Sequence, residues 1–177
     1  MKTNIVALST LITSLLLQTQ VIAADGQLNI TGTLVEASCE LATENISVAL
    51  GSIGADVFDA SLYSPKEQFT IKLQNCIGGD GIAKVAATFT GSDADGDNVL
   101  DIATLGGSEA GGVAIEFFDA AVGVDEVLPL GQQSSGVLLP TTLGDVELDF
   151  YAAYKKVGSS VTAGLANGSA NFELTYL

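Results

Sequence analysis

Val146, Leu148, Phe150, Ala152 and Tyr154 alternate with Glu147, Asp149, Tyr151, Ala153 and Lys155. A period of two places successive side chains on opposite faces of a strand, so this run predicts a strand with one buried face. The same period recurs along the chain. Phe69, Ile71 and Leu73 alternate with Thr70, Lys72 and Gln74. Ala170, Phe172, Leu174 and Tyr176 alternate with Asn171, Glu173 and Thr175. Gly26, Leu28, Ile30, Gly32 and Leu34 form a further alternating run near the N-terminus. Shorter strands are expected at 46–50, 82–89, 99–102 and 113–120, with an edge strand at 127–130, where Pro129 cannot donate to a ladder. VFDASLY and KVAATF have helical propensity, but the period of two and the turn chemistry outweigh it. Glycine supplies 20 of 177 residues, above the usual share of about 7%. Many short strands joined by Gly-rich turns such as GGDG and GSDADGDN predict an all-β sandwich.

The first residues stand apart from this pattern. A lysine at position 2 precedes a short apolar run that ends in small residues. This predicts a secretory signal peptide over 1–23, cleaved after Ala23 or Ala24, rather than a membrane anchor. The remaining chain suits one domain with a sizeable core. Export gives the cysteine count its meaning. Cys39 and Cys76 are the two cysteines, and in an oxidising compartment they predict one structural disulfide. That bridge closes a loop of nearly forty residues, a stabilisation of about 3–4 kcal/mol in the chain-entropy picture.

Charge and chemistry narrow the function. Lys66, Lys72, Lys84, Lys155 and Lys156 face 21 acids once the signal is removed, and there is no Arg and no His. Such a chain is a poor ligand for nucleic acid or for an anionic bilayer, so neither nucleic acid nor direct lipid binding is expected. Without histidine there is no His-based triad and no imidazole acid, base or metal ligand. No GxSxG, GxGxxG or GxxxxGK[ST] motif occurs. No enzymatic activity and no cofactor are expected. Asp93, Asp95 and Asp97 alternate as in some calcium loops, but glycine falls fourth and residue 104 is Thr, so the EF-hand pattern fails. A solvated turn is expected there and no metal site. Asn29, Asn45 and Asn167 fit the glycosylation sequon, a pattern short enough to arise by chance.

Seven segments in order carry a family resemblance: GTLVEASCEL at 32–41, KEQFTIKLQNC at 66–76, TFTGSDADGDNVLDI at 88–102, GGVAIEFFDA at 111–120, FYAAY at 150–154, VTAG at 161–164 and ANFELTY at 170–176. Together they resemble the pilins of chaperone–usher, type 1-like bacterial fimbriae. The resemblance implies an incomplete immunoglobulin-like β-sandwich, completed by a donor strand from a neighbouring subunit. It assigns 24–35 as the donor arm, with Gly26, Leu28, Ile30, Gly32 and Leu34 facing the neighbour, and 36–177 as the pilin domain. It implies a groove beside the last strand, where Phe172, Leu174, Tyr176 and Leu177 meet a periplasmic chaperone before assembly. The implied partners are neighbouring copies in a homopolymer, the chaperone and an outer-membrane usher. The implied location is an extracellular fimbrium reached through the periplasm. The implied function is a structural shaft subunit that supports adhesion; a minor adaptor pilin and a self-contained secreted binding module are the alternatives.

Overall fold

A computed structural model of the chain describes residues 39–79, 81–93, 95–104 and 106–177. These residues belong to the compact unit Val35–Leu177. The signal peptide and the arm residues Gly26, Leu28, Ile30, Gly32 and Leu34 lie outside the described residues.

The described chain forms eight strands and one helical turn. In order they are β1 (Glu40–Leu41), α1 (Val57–Ala60), β2 (Glu67–Cys76), β3 (Lys84–Gly91), β4 (Val113–Asp119), β5 (Val127–Leu128), β6 (Val137–Leu138), β7 (Gly144–Lys156) and β8 (Ala170–Tyr176). One sheet has the order β1-β2-β7-β4-β5 and the other β6-β3-β8. Every ladder between them is antiparallel. The expectation of an all-β, immunoglobulin-like sandwich holds.

The period of two sets which faces meet. Ile71 and Leu73 on β2, Val146, Leu148 and Phe150 on β7, and Val85, Ala87 and Phe89 on β3 are buried between the sheets. Register aligns Phe69 with Phe150 and Ile71 with Leu148 across one ladder, and Phe89 with Phe172 across another. The β2–β7 register shifts between Leu73 and Cys76. There Asn75 takes φ 54°, a left-handed conformation that Asn tolerates better than most residues. The shift leaves Cys76 fully buried and bonded to Cys39.

Three local expectations change. VFDA is one helical turn rather than strand: Val57, Phe58 and Asp59 donate backbone N–H groups to Gly54, Ala55 and Asp56. Its backbone is satisfied locally while Phe58 is buried, and the following residues 62–64 pair with residues 154–156 at the end of β7. Residues 46–50 point Ile46, Val48 and Leu50 at the core as their alternation predicts, but they form no ladder with a described strand. Residues 99–102 contribute one bridge, Leu100 to Ile115, rather than a strand. The short strand β6 had no sequence signal of its own.

β4 is buried along its whole length. Ile115 and Phe117 face the inter-sheet core. On the other face Tyr63 packs edge-on against Phe118, with ring centroids 5.4 Å apart. The Tyr63 ring, which follows α1, therefore covers part of the other face of β4.

Candidate functional site

Five phenylalanines meet where the sheets face each other. Phe89 stacks on Phe117 with centroids 4.6 Å apart and meets Phe150 edge-on at 5.0 Å. Phe69 packs against Phe89, Phe117 and Phe150. Phe172 reaches Phe89 from β8 at 6.5 Å. Such tilted and offset contacts are the favoured arrangements of aromatic rings. They make a rigid apolar floor.

A groove of about 790 Å³ lies over this floor. One wall is the extended run 44–51 and the other is 166–172, which leads into β8. Phe69, Phe89, Leu100, Ile115, Phe117 and Ala152 line it below. The walls are fixed by specific contacts. Tyr154 donates its hydroxyl to the Ala166 carbonyl at 2.9 Å, and Ala103 donates its N–H to Asn167 at 2.6 Å. Burial pushes the Tyr154 phenol pKa up, so it stays a neutral donor. Gly168 lies against Leu100 and Ile115 so closely that a Cβ there would stand 2.6 Å from the Ile115 Cδ1 atom. Glycine is what permits that approach.

The groove offers shape and apolar surface rather than reactivity. Its lining holds no described nucleophile–base pair, and Glu44 is its one acid. β8 has a single ladder partner, β3, among the described strands. A strand edge beside an apolar trough suits an extended peptide: the edge supplies backbone bonds, and alternate side chains fill the trough.

The sequence-predicted residues fall as follows. Cys39 and Cys76 are joined. Phe172 lines the groove. Leu174 and Tyr176 share its face of β8 and pack on the core. The Leu177 carbonyl oxygen accepts from the backbone N–H groups of Ala83 and Lys84, tying the C-terminus to the start of β3. Periodicity assigned Phe69 and Ala152 to buried faces but not to this groove. Leu100, Ile115 and Phe117 had no site assignment either. They come from distant stretches that only register brings together. The acidic turn also takes a definite form. The Asp93 carboxylate accepts the N–H groups of Gly96, Asp97 and Asn98 at 2.9–3.1 Å, closing the turn on itself. No group of three or more metal-ligating side chains occurs among the described residues.

Residues 28–177 match the family described as Fimbrial protein. The chain is 36% identical over 160 residues to the uncharacterized fimbrial-like protein YcbV of Escherichia coli K12, covering 89% of each. It is 31% identical to the probable major fimbrial subunit LpfA of Escherichia coli O157:H7, over 87% of this chain and 85% of that one. Among solved structures it is similar to the P pilus rod subunit PapA, with a TM-score of 0.60 and 28% identity over 80% of this chain and all of that one. A chaperone–usher pilus structure concerned with rod uncoiling gives a TM-score of 0.62 at 28% identity, over 86% of this chain and 96% of that one.

Proposed function

The chain belongs to the fimbrial protein family, and from that premise we propose that it is a shaft subunit that polymerises with its own kind by donor-strand exchange. Membership makes it a fimbrial subunit of the chaperone–usher type, a structural protein of extracellular pili rather than an enzyme. The observation that carries the finer reading is the groove: an apolar trough floored by phenylalanines, open beside a strand with one described partner. The arm at 24–35 has the matching chemistry. Leu28, Ile30 and Leu34 alternate with polar residues, so one face of the arm is apolar and the other polar. Each buried aliphatic side chain contributes about 1.5–3 kcal/mol, so three contribute roughly 5–9 kcal/mol before the entropy of ordering the arm. Gly26 and Gly32 suit the shallow places of the trough.

In this reading residues 1–23 direct export and are removed, 24–35 is the donor arm, and 36–177 is the pilin domain. A periplasmic chaperone covers the groove and the β8 end at Phe172, Leu174, Tyr176 and Leu177 until an usher at the outer membrane exchanges it for the next subunit's arm. An uncovered strand edge over apolar surface is an aggregation hazard, which gives the chaperone a physical reason to exist. The similarity to a probable major subunit favours the shaft over an adaptor position.

Ile30→Asp tests this directly. It places an unpaired charge in an apolar trough. Electron microscopy of cells making the variant should show absent or sharply shortened fibres, while its subunit accumulates in the periplasm. Fibres of ordinary length would rule out the arm as donor.

A further inference from the structure

The two ends of the described domain differ in a way that the groove does not explain. The described chain enters at Cys39, and that end also carries Ile77, the 138–143 loop, the start of β3 and the C-terminus. Leu138 and Leu143 are 68% and 67% exposed there, with Ile77 and Leu177 also exposed. Lys84 stands among them, paired in the ladder with Leu138 and bonded through its backbone to Leu177. Lys66, Lys72 and Lys155 each hold a carboxylate, and Lys156 donates to the Phe58 carbonyl. Lys84 forms no such contact among the described residues. Glu40 and Asp145 share this end, and Glu40 accepts from Asn75.

The opposite end is acidic. Asp95 and Asp97 are exposed in the turn after β3. Asp93 is engaged in closing that turn, and Asp101 accepts from Ser92. Asp95, Asp97 and Asp101 border a cavity of about 720 Å³ whose apolar lining includes Ile102, Val113 and Val157. At about 3.3 Å per residue, the eight residues of β3 hold Lys84 and Gly91 roughly 23 Å apart. Within one copy Lys84 cannot reach Asp95 or Asp97; Asp97 accepts one bond from the Val99 N–H and keeps its exposure.

Two copies can bring them together. Every ladder between the named strands is antiparallel. An arm added to β8 in the same sense runs opposite to Ala170–Tyr176 and leaves the groove at the acidic end. Residues 35–38 then separate Leu34 from Cys39, about five residue steps that span at most about 18 Å. The donor's Cys39 end is therefore held against the acceptor's acidic end. A parallel arm would instead bring two Cys39 ends, and two copies of Lys84, together.

We propose that these ends form a second, head-to-tail contact between successive copies: the Ile77, Leu138, Leu143 and Lys84 end of one seats on the Asp95 and Asp97 end of the copy whose groove its arm fills. The apolar residues cover the Ile102–Val157 cavity, and Lys84 meets the acidic turn. This junction exists only if the arm fills the groove as proposed above.

A zero-length carbodiimide, which joins amines to carboxylates in contact, tests it on assembled wild-type fibres. Mass spectrometry should find Lys84 linked to Asp95 or Asp97, and should not find the link in chains carrying Ile30→Asp. As a second measurement, Lys84→Glu should shorten fibres at least twofold at low salt, and adding Asp95→Lys should restore them. If Ile30→Asp abolishes fibres but wild-type fibres show no Lys84 link and tolerate Lys84→Glu, the junction is wrong and the arm reading stands. If Ile30→Asp fibres form normally, the arm reading fails and the junction falls with it.

Discussion

Glu116 is an acid on β4, an inner strand of the larger sheet, and is 4% exposed. One oxygen accepts from the Lys155 ammonium on the neighbouring strand at 2.6 Å; the other has no donor in full hydrogen-bond geometry among the described residues, with the Tyr63 hydroxyl its polar neighbour. A buried carboxylate in this position depends on its one cation. Lys155→Met removes that cation, and breaking a buried pair from one side costs about 3–5 kcal/mol. Urea unfolding of the variant should show a loss of that size, and adding Glu116→Gln should recover most of it. Tyr63 lies beside the pair. Burial first, and then the Glu116 carboxylate, push its phenol to about 12. The neutral phenol is thus favoured in the folded state. Its stabilising contribution is complete below the ordinary tyrosine value of about 10 and is lost as pH rises through about 12. An ultraviolet titration of native protein should show one tyrosine ionising near that upper value, and Glu116→Gln should move it down.

Among the elements, β1 is one of three two-residue strands and pairs with the end of β2. The Cys39–Cys76 bond, spanning 37 positions, ties the chain just before it to the bulged end of β2. Replacing both cysteines by serine should lower unfolding free energy by about 3–4 kcal/mol, the entropy of closing a loop of that length. Denaturant midpoints of the oxidised wild type and the double variant would measure it. The loss should be sharpest in the strand order β1-β2, with hydrogen exchange faster at 40–42 than in β7. The run 46–50 shows the limits of periodicity at this scale. Its alternation correctly placed Ile46, Val48 and Leu50 inward, because burial depends on side chains. It could not say that the run lacks a described ladder partner, because pairing depends on what lies alongside. Residues 57–60 fail differently. A single turn that buries one phenylalanine is too short for either period to register.

For the whole molecule, the acidic composition invites a test for metal. Asp93 already satisfies three backbone N–H groups of its own turn. Stripping divalent cations with a chelator should leave the thermal unfolding midpoint unchanged, and adding calcium should not raise it. A rise with micromolar calcium, lost in Asp95→Asn with Asp97→Asn, would make the turn a binding element. Assembly should rest instead on strand exchange into the groove and on contact between the two ends of the domain. Both proposals start from topology: β8 lies at one edge of the three-stranded sheet, and β3 separates Lys84 from the acidic turn.

The alternation at 69–73, 146–154 and 170–176, the glycine-rich turns and the cysteine pair were enough to determine a β-sandwich with one disulfide. Each is a local signal: side-chain period follows from strand geometry, and two cysteines have one possible pairing. The family, too, was legible in seven ordered segments. The groove was not. Phe69, Phe89, Phe117 and Phe172 are separated by long stretches of chain, and only ladder register stacks them into one floor. Gly168 showed no motif, because its value lies in Leu100 and Ile115 pressing against it. The buried Glu116 could not be told from twenty other acids until β7 set Lys155 beside it. Contacts between residues far apart in sequence depend on which strands become neighbours, and that pairing is a property of the packed chain.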